Sequence, residues 1–122
     1  MASIIITGGK NAGSYYPLGH RTNVIGRDEG SPIQLLDEHV SRKHLQIRYD
    51  KERGQYLALD MKSSHGTLIN GRPLGAEAVL VDEDHIKLGD TMLLFTTQDF
   101  PDRASALAYR KRVGERERGT LE

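Results

Sequence analysis

Short stretches of alternating polarity fill the first four-fifths of the chain. Leu45, Ile47 and Tyr49 alternate with Gln46, Arg48 and Asp50, a period of two that gives a strand one buried face and one wet face. Tyr56-Leu57-Ala58-Leu59 and Met92-Leu93-Leu94-Phe95 are denser apolar runs, as interior strands require. Reading the whole chain in this way predicts strands over 3–7, 15–19, 23–27, 33–36, 44–50, 55–60, 67–70, 78–81, 84–88 and 91–97. Glycine-bearing turns punctuate them. Lys51-Glu52-Arg53-Gly54 and Asn70-Gly71 are the plainest hairpin signals. Many short strands at this spacing predict an all-β sandwich or barrel.

The pattern changes after residue 98. Asp99 is expected to cap a helix, with Pro101 in its first turn. Ala104, Leu107 and Ala108 form a narrow apolar stripe, and Gly114 is expected to end the helix. Glu115-Arg116-Glu117-Arg118-Gly119 then reads as too charged to pack. The expected division is therefore a β domain over 1–98, then a short helix and charged tail over 99–122.

At 122 residues the chain is long enough for one domain with a real core. Its apolar runs fall far short of the roughly 20 residues of a membrane span. With no cysteine, it has neither disulfides nor thiol chemistry. Seventeen basic residues balance seventeen acidic ones, which argues against a general nucleic-acid or membrane binder. Any anion site must be local. A cytoplasmic location is the default expectation.

Three polar corners stand at the ends of predicted strands: Gly26-Arg27, Ser41-Arg42-Lys43-His44, and Ser63-Ser64-His65-Gly66-Thr67 followed by Asn70-Gly71. Together they offer a guanidinium, hydroxyls and glycine-freed backbone N–H groups. That inventory suits holding a phosphate ester and lacks the means to break one. Ser41 and His44 invite a nucleophile–base reading, but no third group and no G-x-S-x-G elbow accompany them, so no catalytic residue is assigned. The histidines at 20, 39, 44, 65 and 85 have no metal-ligand spacing, and neither metal nor cofactor is expected.

With these corners in order, residues 3–97 resemble a forkhead-associated (FHA) domain. Gly26-Arg27, the Ser41-x-x-His44 block and Asp60…Ser63-Ser64-His65-Gly66-Thr67…Asn70-Gly71 carry the resemblance, with Asp84–Asp90 as the strand pair before the last strand. His65 departs from the pattern, standing where Asn is usual. The resemblance implies a sandwich of two twisted antiparallel sheets with its recognition loops at one end. It further implies a non-enzymatic module that binds phosphothreonine peptides in Ser/Thr kinase signalling. On that basis Arg27, Ser41, Arg42 and Ser64 are expected to hold the phosphate, and Lys62, His65 and Arg72 to meet the peptide. Gly26, His44, Gly66, Thr67 and Asn70 would support the pocket. The dull alternative for Arg27 is an ion pair with Asp28 or Glu29. For the whole chain the alternative is a phosphate-independent scaffold or oligomerisation domain using the same loops. The expected partner is a phosphothreonine-containing protein or peptide, not a nucleic acid or membrane. A monomer is expected, with dimerisation through the C-terminal helix as the alternative.

Overall fold

Alternation turns the apolar runs into a core one layer thick between two sheets. Ile4, Ile6, Ile25, Leu45, Ile47, Ile86, Leu88, Leu93 and Phe95 are all fully buried there. The computed structural model describes residues 2–120, with side chains through residue 117, so the last two positions of the expected tail, Leu121 and Glu122, lie outside the described residues. The strands are β1 (Ser3–Gly8), β2 (Tyr15–Pro17), β3 (Asn23–Gly26), β4 (Ile33–Gln34), β5 (Leu45–Asp50) and β6 (Gln55–Asp60). They continue with β7 (Thr67–Ile69), β8 (Arg72–Pro73), β9 (Glu77–Leu80), β10 (His85–Leu88) and β11 (Thr91–Thr96), and helix α1 (Arg103–Thr120) follows. One sheet has the order β2-β1-β11-β10-β7-β8 and the other β4-β3-β5-β6-β9.

This is the expected sandwich with two adjustments. The second sheet is mixed, because β4 runs parallel to β3 and the Leu35 N–H bonds the Gly26 carbonyl. The short β8, formed where the chain turns at Asn70-Gly71, escaped the sequence reading because two residues carry no period. Register brings the ends of β3, β6 and β10 together with the starts of β5, β7 and β11, through the pairs Ile25↔Leu45, Leu45↔Asp60, Leu88↔Thr67 and Leu88↔Thr91. The three polar corners leave from this one rim.

The helix differs from its expectation in length and in the face it buries. Its cap is Asp102, whose carboxylate accepts the Ser105 N–H at 2.8 Å, rather than Asp99. It passes through Gly114 and is helical where a charged tail was expected. The buried stripe is Ala106, Tyr109 and Val113, which pack on Ile5 and Leu94, while Ala104 and Ala108 are exposed. The outer face of the six-stranded sheet decides this. β1 and β11 present apolar side chains on both faces, and the helix turns its largest apolar residues onto the outer one.

Polar contacts fasten the helix along its length. Arg103 Nε donates to the Gly13 carbonyl at 2.7 Å, Arg110 to the Thr7 carbonyl at 2.7 Å, and the Tyr109 hydroxyl to Glu83 at 3.1 Å. In the last turns Arg116 pairs with Glu83 and Glu117 with His85, so the charges that argued for a solvated tail anchor it. Among the described side chains, α1 turns its apolar face onto its own sheet.

Truncating Tyr109, 5% exposed, removes the centre of this seam. Tyr109→Ala is expected to cost about 3 kcal/mol and to lower the melting temperature by about 10 °C, read by circular dichroism. A shift within about 2 °C would mean that the helix lies outside the cooperative unit.

Candidate functional site

The rim is built by drawing the 35–44 loop across the end of β3. Arg27 N–H donates to the Ser41 carbonyl at 3.0 Å, Asp28 N–H to the Arg42 carbonyl at 3.2 Å, and His44 N–H to the Ile25 carbonyl at 3.0 Å. Gly26 permits the approach: a Cβ there would lie 2.0 Å from the Arg42 carbonyl oxygen. Arg27 is exposed and its Nε donates to the Val40 carbonyl at 3.1 Å, which fixes the guanidinium beside Ser41. Among the described residues no carboxylate pairs with it, so the expected alternative of a pair with Asp28 or Glu29 does not form. The terminal amino groups remain available to a ligand.

A buried histidine ties this loop to the next. His44 is fully buried; its Nδ1 accepts the Ser41 backbone N–H at 3.0 Å and its Nε2 contacts the Gly66 carbonyl at 2.8 Å. A backbone N–H can only donate and a carbonyl can only accept, so the proton sits on Nε2. Both ring nitrogens are thereby committed to backbone, and neither is a base for the Ser41 hydroxyl. Ser41 Oγ instead accepts the Ser64 backbone N–H at 3.0 Å, which joins the two serine-bearing bends directly.

Asp60, at the end of β6, shapes the second bend. It accepts the hydroxyls of Ser63 and Thr67, both at 2.7 Å, and the Ser63 N–H at 3.0 Å; Ser63 Oγ in turn accepts the Gly66 N–H at 2.9 Å. Burial alone would raise the Asp60 pKa, but the bonds from Ser63 and Thr67 outweigh it and hold the carboxyl below its ordinary value. Lys62 takes a left-handed backbone (φ 57°), and Gly66 another (φ 78°), which turns the bend back toward β7.

The structure thus gathers Arg27, Ser41, Arg42 and Ser64 at one rim, with Lys62 and His65 exposed beside them. Gly26, His44, Gly66 and Thr67 brace it from below. Asn70 and Arg72 are not part of it. Both stand at the other end of the β7–β8 pair, where Asn70 donates to Asp84 at 2.8 Å and accepts the His85 N–H at 2.9 Å. Asn70 therefore supports the opposite end of the sandwich, because β7 is a full strand segment lying between it and the rim.

Sequence reasoning missed a clamp on the same rim. Asp37 accepts the His39 N–H at 2.9 Å and the Asp90 N–H and Thr91 hydroxyl at 2.8 Å each, and His39 Nδ1 meets Asp90 at 2.8 Å. The Asp90 hydrogen bond raises the His39 pKa. Asp37, His39 and Asp90 bring three ligand-type atoms within 4.8 Å of one another, but these bonds already engage them, and the group works as a fastener between the 35–44 loop and the β10–β11 turn. His39 also sets its ring edge-on to His65 at 5.5 Å, and a cleft of about 380 Å³ opens beside them over Leu68 and Lys87. The one signal in the sequence was Gly89-Asp90, a turn dipeptide whose long-range role no periodicity reveals.

Known proteins share this fold. The FHA domain family model matches residues 23–89. The glycogen accumulation regulator GarA of Mycolicibacterium smegmatis is 36% identical over 96 residues, covering 79% of this chain and 59% of that protein. The FHA domain-containing protein FhaA of Mycobacterium tuberculosis is 39% identical over 84 residues, 68% of this chain and 15% of that protein. The chain therefore spans under two thirds of the length of either relative. A solved structure from an analysis of phosphothreonine-dependent FHA domain interactions superposes with a TM-score of 0.71 at 31% identity, over 81% of this chain and 98% of that one.

The lowered Asp60 pKa has a consequence for stability. Its ionised form contributes above the ordinary value of 3.8, and the contribution is lost as pH falls through the lower folded-state value. In urea titrations native protein should exceed Asp60→Asn in stability near pH 7, with the gap closing as pH falls below about 3.8. A gap independent of pH would contradict the assigned bonding.

Proposed function

The chain belongs to the forkhead-associated family, and on that footing we propose that its rim is a phosphothreonine-binding site recruiting proteins modified by a Ser/Thr kinase. The observation that carries this reading is the Arg27 guanidinium, anchored through Nε and otherwise unpaired, beside two bends whose serines are hydrogen-bonded to each other. The solved relative concerned with phosphothreonine-dependent interactions supports the choice of ligand.

In this reading Arg27 offers its planar fork to two phosphate oxygens and stays charged at every physiological pH. The Ser41 oxygen already accepts the Ser64 N–H, so its proton is free to point at the ligand. Ser64 adds a second hydroxyl and Arg42 a second cation. Lys62 and His65 flank the path of the peptide; Arg72 has no part in it. The site holds no base for the Ser41 hydroxyl, which supports binding without turnover. Among the described residues no helix is long and apolar enough to cross a membrane. The cytoplasm, where Ser/Thr kinases meet their substrates, is the compartment that fits.

The magnitudes agree. Hydrogen bonds to charged groups contribute about 1.5–3 kcal/mol each. Three or four of them, less the ordering of a flexible peptide, leave about −8 kcal/mol, or micromolar affinity.

Arg27→Ala is therefore expected to abolish phosphopeptide binding in calorimetry while leaving the melting temperature nearly unchanged, and to do more harm than Ser64→Ala. Undiminished binding in Arg27→Ala would favour the phosphate-independent scaffold instead.

A further inference from the structure

A β-sandwich has four strand edges, and an edge left bare pairs with other strands unless something blocks it. Three of the edges here are blocked. β2 ends in Pro17, β8 consists of Arg72 and Pro73, and the two-residue β4 follows directly on Pro32. The fourth edge, β9, is different. It has four residues, no proline and no cation, and its single charge, Glu77, is paired with Arg48 at 3.3 Å. Among the described residues nothing pairs with its outer side. Val79 on β9 and Val81 just beyond it are 42% and 59% exposed, two of the three exposed large apolar side chains among the described residues. A cavity of about 460 Å³ opens beside this edge, lined in part by Val79, Leu80, Val81, Tyr49, Tyr56 and Phe95.

We propose that the β9 edge is a self-association surface, on which a second copy of this chain adds its own β9 antiparallel about a two-fold axis through Val79. The register argues for a second copy. Side chains directly opposite each other must share a face, so residue numbers across the axis sum to an even value. Centring on Val79 sets Val79 against Val79, Ala78 against Leu80 and Glu77 against Val81. Each small inner residue then meets a large one, and both exposed valines are covered at once. The two Glu77 carboxylates lie four strand positions apart, about 13 Å along the strand, so the lone charge never faces itself. The contact is isologous and closes at two copies. Val81, whose carbonyl accepts the Asp84 N–H and whose N–H bonds the Asp84 carboxylate, contributes only its side chain. The surface covered is that of one short strand pair, so the dimer is weak and exchanges fast. β9 begins near the phosphate rim, and the antiparallel arrangement points the two rims in opposite directions, giving a bivalent particle.

Sedimentation velocity between about 10 µM and 1 mM, the range suited to a weak interface, tests this with the native chain. The expected result is a monomer that becomes a dimer with rising concentration, and concentration-dependent amide shifts centred on residues 77–81. Val79→Lys, at an exposed position, should keep the melting temperature and the phosphopeptide affinity yet remain monomeric. Val81→Lys should weaken the dimer likewise, and is the variant to read if Val79→Lys folds poorly. Leu36→Lys, at the other exposed apolar residue, should dimerise like the native chain. A native chain monomeric throughout, a dimer surviving both valine substitutions, or shifts centred on another surface would overturn the proposal.

Discussion

A single buried imidazole holds the functional end of this molecule together. His44 receives a backbone N–H from Ser41 on one side and holds the Gly66 carbonyl on the other, so two loops with no sheet pairing between them share one rigid strut. Buried polar groups are costly unless satisfied, and this one is satisfied twice by groups that would otherwise be unpaired themselves. Remove the ring and both loops lose a partner. The Ser41–Ser64 bond, the Gly26 crossing and the anchored Arg27 all presuppose the spacing that His44 sets.

The rim is also fastened from outside. Asp60 gathers Ser63 and Thr67 beneath the second bend, and Asp37 pins the first bend to the β10–β11 turn. Asp60 and Asp37 are thereby engaged in holding loops, while Arg27 and Arg42 stand exposed at the rim. On the proposed reading, a phosphate arriving there would meet donors already ordered by the fold, which lowers the entropic cost of binding.

Much of this was legible in the sequence because it rests on short-range chemistry. The period-two runs located the strands, and the order of Gly26-Arg27, Ser41…His44 and Ser63…Thr67 marked the rim. What escaped depended on partners distant in the chain. Ala106, Tyr109 and Val113 were chosen over Ala104 and Ala108, with Leu107 partly buried beside them, by the outer face of β1 and β11, which the helix's own residues do not encode. Arg116 and Glu117 read as solvated until Glu83 and His85 supplied partners for them. Asn70 and Arg72 followed the third block closely in sequence, yet β7 carries them away from it. The Asp37–Asp90 clamp joins residues more than fifty positions apart through a turn that looks ordinary locally.

The central claim is that these three bends form a preorganised cup for a phosphate on threonine. Calorimetric titration of the native chain with one phosphothreonine peptide and its unphosphorylated twin tests it most directly. The account predicts saturable binding at about micromolar affinity for the phosphorylated peptide and no measurable heat for its twin. Equal affinity for the two would contradict it.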